Sequence, residues 1–157
     1  MTVIVYSSKS GSSRKYAESL GARVGLPVYA VGEQPSDERI VFFGWLRKDE
    51  VVGVRDVDRS KIIAVGVVGL DTQGRFNSRA VSDRNDLKVP LYYLRGWIDR
   101  SKLNPLDKGV LLAVAVMMKL QGLNEFNTPI FNAMRQGGSF YDEKYLDPIE
   151  TFIKSME

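Results

Sequence analysis

The stretch Val3-Ile4-Val5-Tyr6-Ser7-Ser8-Lys9-Ser10-Gly11-Ser12-Ser13 changes character twice, and its reading decides the fold. Four β-formers in a row suit a buried parallel strand, and the residues after Tyr6 are too polar and too flexible to extend it. Beyond Ser12 the apolar spacing becomes Tyr16, Ala17, Leu20 and Val24, one face of a helix, with Arg14, Lys15 and Glu18 elsewhere. Ser12 or Ser13 is placed to cap that helix. The order strand, loop, helix aims free N–H groups and the positive dipole end at whatever occupies the loop, which stabilises an anion there. Five serines offer hydroxyls, Gly11 permits close backbone approach, and Lys9 offers charge. The competing reading is a plain serine-rich turn, because serine and glycine dominate turns generally.

Other phosphate loops fail on particular residues. A P-loop needs G-x-x-x-x-G-K-[ST], and Gly11 has neither a partner glycine nor a lysine after it. The dinucleotide fingerprint G-x-G-x-x-G is missing, and a chain without cysteine has no thiolate phosphatase chemistry. The stretch resembles the N-terminal signature of flavodoxins: an apolar pair, an aromatic, then [ST]-x-x-G-x-[ST] and an alanine four residues later. Ile4-Val5-Tyr6, Ser8, Gly11, Ser13, Ala17 and Leu20 stand on those positions. Ser13 departs from the usual threonine but keeps the hydroxyl.

The 157 residues, 44% hydrophobic and 26% charged, fit one globular domain over 1–157 with a proper core. With no histidine and no cysteine, zinc sites, disulfides and Ser-His-Asp catalysis are out. A net charge of +3, its basic residues spread along the chain, argues against a nucleic-acid partner. Met1-Thr2 leads directly into a strand, so no secretory leader and a cytoplasmic location are expected. The run Val110 to Met118 is nine apolar residues, short of the roughly 20 that a bilayer span needs, so no transmembrane segment is expected. A helix hydrophobic all round is read as a core helix; a homodimer, partner or membrane-surface contact is the alternative.

Further along, Pro27 to Val31 reads as an edge strand, and Gln34 to Glu38 is too turn-rich for a full crossover helix. Ile40-Val41-Phe42-Phe43 is an apolar strand ending at Gly44, with Trp45 and Leu46 in the loop after it. Val51 to Ser60 is a weak, irregular stretch. Ile62 to Val68 is the clearest central strand and ends at Gly69-Leu70. Gln73 to Lys88 allows one short, frayed helix. Val89 to Leu94 is a fifth strand, with Pro90 tolerable near the start of an edge strand. Asn127 to Met134 is a short helix, and Asp147-Pro148 opens the last one, with Ile149, Phe152, Ile153 and Met156 inward.

The likeness continues from Tyr93 to Asp107, which resembles a branch of short bacterial flavodoxin-domain proteins related to the flavin-dependent protoporphyrinogen oxidases. Gly138 to Glu143 before Asp147-Pro148-Ile149 resembles the same branch. This resemblance implies a three-layer α/β flavodoxin-like fold, a five-stranded parallel sheet of order 2-1-3-4-5 with helices on both faces, and non-covalent FMN. It implies Ser8, Lys9, Ser10, Gly11, Ser12 and Ser13 at the phosphate, Gly44, Trp45 and Leu46 on one side of the ring, and Gly69 and Leu70 on the other. For Trp45 the alternative is a core residue displaced to a strand end. The implied activity is an oxidoreductase acting on a quinone or porphyrinogen. The alternatives are a small electron carrier docking a redox partner protein, and a cofactor-less binding module. Carriers of this fold tend to be acidic, and a slightly basic chain favours the first.

Overall fold

The first strand has apolar residues at consecutive positions because both of its faces are covered. The computed structural model describes residues 1–8 and 11–156. In chain order its main elements are β1 (Thr2–Tyr6), α1 (Ser12–Val24), β2 (Val28–Ala30), β3 (Arg39–Arg47), β4 (Glu50–Val51), β5 (Ile62–Gly69), α2 (Ser78–Asn85) and β6 (Leu91–Arg95). They form a mixed α/β structure with a mostly parallel sheet, ordered β2-β1-β3-β5-β6, while β4 pairs antiparallel with β3. Side chains alternate between faces along a strand. Val3, Val5, Phe42, Val65 and Val67 pack with Val54, Val57, Val81 and Leu87 on one side. Ile4, Val41, Phe43 and Val68 pack on the other with Tyr16 and Leu20 of α1 and with Ile149 and Ile153 of the last helix.

Strand count and one strand boundary differ from expectation. The sheet has six strands rather than five, because the chain after β3 turns back at Lys48 (φ 56°) and pairs Leu46 with Val51 and Arg47 with Glu50. Instead of ending at Gly44, β3 continues its ladder against the long β5, pairing Gly44 with Val67 and Trp45 with Val68. The hairpin is pinned by Asn85, fully buried, whose Oδ1 accepts from the Val51 N–H (3.0 Å) and whose Nδ2 donates to the carbonyls of Asp49 (2.8 Å) and Val81 (2.7 Å). Single 3₁₀ turns at Val54–Asp56 and Arg59–Lys61 fill the irregular stretch before β5.

After β6 the chain leaves the sheet on an excursion: β7 (Trp97–Ile98), α3 (Pro105–Gln121), α4 (Thr128–Gln136) and β8 (Gly138–Ser139). It returns where Trp97 pairs with Ser139 and Ile98 with Gly138, antiparallel. The last helix, α5 (Asp147–Ser155), then docks beside α1, where Arg23 donates to Asp147 (2.9 Å) and Glu150 (3.1 Å). The expected core helix over Val110 to Met118 is not in the core: within α3 only Ala115 is buried. Both sheet faces are already occupied, so α3 is left to pack chiefly on α4, which buries Ile130, Phe131 and Ala133. Among the described residues no helix is long and apolar enough to cross a membrane.

Candidate functional site

The loop between β1 and α1 starts by continuing the sheet, with the Ser7 N–H donating to the Phe43 carbonyl at 2.9 Å. Ser8 then turns the chain by accepting the Gly11 N–H on its hydroxyl at 3.0 Å. Lys9 and Ser10, both expected in the anion loop, lie outside the described residues. Gly11 has φ 97°, a left-handed conformation costly for any residue with a Cβ, and it occupies the N-cap of α1. Neither Ser12 nor Ser13 is therefore the cap as expected, because the helix begins one residue earlier, and Gly11 makes no side-chain cap bond. The first-turn N–H groups have no intrahelical acceptor and no acidic side chain in that turn to offset the dipole.

Ser12 and Ser13 are both buried, at 6% and 1% exposure. The Ser13 hydroxyl is out of water and has no hydrogen-bond partner among the described residues. Such an orphan costs about 1–3 kcal/mol. A hydroxyl, an uncapped helix start and a left-handed glycine within three residues form a set of donors suited to a small anion.

Two backbones press against this loop. A Cβ added at Gly53 (φ 90°) would lie 2.5 Å from the Ser7 Cβ, and one at Gly96 would lie 2.6 Å from the Ser12 hydroxyl and 2.7 Å from Val68. The loop thus adjoins both the turn after β4 and the bend after β6. Cations gather nearby: a Cβ built on Gly11 would be 3.4 Å from Lys102 Nζ and equally close to the Trp97 ring. Lys15 Nζ stands 4.6 Å from the Tyr141 ring centroid and 5.7 Å from that of Trp97.

No protein-family model and no curated protein matches this chain. The residues of the site carry its reading by themselves.

Of the remaining expected site residues, Gly69 and Leu70 do sit at the carboxyl end of β5, with their carbonyls engaged. Gly69 accepts from the Gly96 N–H (2.8 Å), and Leu70 accepts from Arg95 through Nη2 (2.7 Å) and Nε (3.1 Å). Gly44, Trp45 and Leu46 are strand residues, not loop residues, because the β3–β4 hairpin prolongs the sheet through them. Gly44 is closed over, since a Cβ there would be 2.6 Å from the Val52 carbonyl and 2.8 Å from Val51. Leu46 packs on the face of Val3 and Phe42, away from α1. Trp45, half-buried, alternates onto the face of Phe43, the side on which α1 lies.

Trp97, Lys102, Lys15 and Tyr16 were not among the expected site residues. Tyr16 braces the site from below: its hydroxyl donates to the Arg95 carbonyl and accepts the Asp142 N–H at 3.1 Å, and burial pushes the phenol up out of reach of ordinary titration. A sequence signal for Trp97 did exist in the Arg95-Gly96-Trp97 bend, where glycine follows a strand end and an aromatic follows glycine. Lys102 has no such local signal. A separate cleft of about 480 Å³, lined by Gln73, Phe76, Leu91, Tyr93 and Tyr145 among others, runs along β6 rather than at these loops. Among the described residues no group of acidic side chains could hold a metal ion.

Proposed function

We propose that this chain is a flavodoxin-like, FMN-binding oxidoreductase that acts on a quinone- or porphyrinogen-type substrate. The single observation that carries the reading is the Ser13 hydroxyl, buried and unpartnered in the first turn of α1 beside the left-handed Gly11. A phosphate supplies the missing acceptor there. The order β2-β1-β3-β5-β6 supports the reading, because the loop after β1 then opens at a switch point, where ligands of α/β sheets bind. In this reading the Ser12 and Ser13 N–H groups and the Ser13 hydroxyl hold the phosphate, and Lys15 and Lys102 balance its charge. Trp97, against Gly11, is an aromatic wall of the site, and Trp45 on the α1 side of the sheet is the candidate for a second. When bound, FMN supplies electron and hydride transfer, which suits a chain with no histidine or cysteine.

The test is uptake of flavin by the purified chain, followed by an assay panel of quinones and protoporphyrinogen. The reading predicts a yellow protein, or a colourless one that takes up added FMN, with turnover of at least one panel substrate. Turnover only with a protein electron acceptor supports the carrier. A second reading has its own support: Gly44 is sealed under Val52, and the Gly69 and Leu70 carbonyls are occupied, as in a module that has lost its cofactor. A chain that takes up no FMN is that module.

A further inference from the structure

Helix α3 is a surface helix whose exposed side is largely apolar. Among the described residues, nine of the eleven large hydrophobic side chains in solvent lie between Leu106 and Phe126, including Val116 at 51%, Met117 at 57% and Leu120 at 83% exposed. At 100° per residue, Leu112, Val116 and Leu120 form one row, and Leu106, Val110, Val114 and Met117 continue the same face. That face spans about half the helix circumference and has no charged residue on it. Lys108 and Lys119 are eleven residues apart, about three turns, so both project from one flank of the apolar face. A globular protein rarely leaves such a patch uncovered.

The charge of the chain selects what covers it. The excursion, residues 96–139, holds five of the 22 Lys and Arg residues and three of the 19 Asp and Glu, so the rest of the chain has 17 basic and 16 acidic residues. Two of the net three positive charges thus belong to the excursion that carries α3. A second copy of the chain on this face would bring two cationic excursions together, whereas an anionic bilayer surface attracts both the charge and the apolar face. We propose that α3 lies flat on anionic lipid, its Leu112, Val116 and Leu120 row in the acyl boundary and the Lys108 and Lys119 stems reaching to the headgroups. The helix then anchors the protein to a membrane without crossing it, in keeping with its length.

The proposal needs no flavin and is tested on the full chain as purified. Parent and the double variant Val116→Glu, Leu120→Glu are sedimented with vesicles of phosphatidylcholine alone or with about a third phosphatidylglycerol. Both positions are solvent-exposed, so circular dichroism of the variant should match the parent. The expected result is binding of the parent to anionic vesicles at least about tenfold stronger than to neutral ones, and background binding of the variant. No binding by the parent, or equal binding to both vesicle types, overturns the proposal. So does a parent dimer in sedimentation equilibrium that binds no vesicles and becomes a monomer in the variant, which would assign the face to a second copy.

Discussion

Helix α1 places Tyr16, Ala17 and Leu20 entirely out of water, while α3, the more apolar of the two, has only Ala115 buried. The difference lies in what each helix meets. α1 follows β1 directly, and its apolar face falls on Ile4, Val41 and Phe43, with Arg14 and Glu18 paired to each other at 2.8 Å on the outside. α3 follows an excursion away from the sheet and meets α4, too small a surface to cover a face that apolar. Composition sets how much a helix gains from burial, and topology sets whether a partner exists.

The largest effect expected from this comparison is on stability. Leu20→Ala should cost about 2–5 kcal/mol, as buried large-to-small changes do. Leu120→Ala, at a residue 83% exposed, should stay within about 0.5 kcal/mol. Denaturant unfolding measures both. Equal losses would mean that α3 is covered even in the isolated chain, and the contrast would be gone.

Two asparagines sharpen it at smaller scale. Asn85→Ala removes two hydrogen bonds that pin the β3–β4 hairpin and a third to its own helix, and should cost about 1–3 kcal/mol. Asn124 also accepts two backbone N–H bonds, from Phe126 and Asn127, but in an exposed turn of the excursion. Water replaces those bonds, so Asn124→Ala should shift the unfolding midpoint only slightly.

The smallest effect concerns pH. Hydrogen bonds from Lys154, and then from Arg23, hold the Glu150 carboxyl below the usual range. A lowered folded value means a contribution present above the unfolded carboxylate value and lost as pH falls through the folded one. Stability of the parent over Arg23→Gln should therefore shrink as pH falls below about 4.5, whereas Lys108→Gln on α3 should be flat over that range. A constant Arg23→Gln difference down to acid pH would remove the ion pairs from the account of how α5 docks on α1.

The elements read from sequence succeeded where local pattern and final partner agree. β1, α1 and β5 bury most of the residues whose spacing marked them, and α5 buries Ile149 and Ile153, whereas Met156, expected inward, is 39% exposed because the helix ends at Ser155. The end of β3 was misplaced because Gly44 suggests a stop, and only the later Glu50–Val51 pairing and the buried Asn85 keep the strand going. Val110 to Met118 was misplaced for the reason α1 and α3 differ: an apolar run does not say whether anything lies against it. At the site, Gly11, Ser12 and Ser13 were legible as contiguous positions. Trp97 and Lys102 arrive from about 90 residues away, and only the β6 bend and the return at β8 set them over Gly11.

The proposed phosphate site turns on Ser13, whose buried hydroxyl has no hydrogen-bond partner among the described residues. One titration reads this most directly: FMN and riboflavin affinity, by fluorescence, for the parent and Ser13→Ala, with unfolding of both flavin-free proteins alongside. The prediction is that riboflavin binds far more weakly than FMN, that Ser13→Ala loses at least about tenfold toward FMN alone, and that the flavin-free variant is no less stable than the parent. FMN affinity unchanged in a variant that is itself destabilised would show the hydroxyl serving the fold, and would contradict the phosphate site.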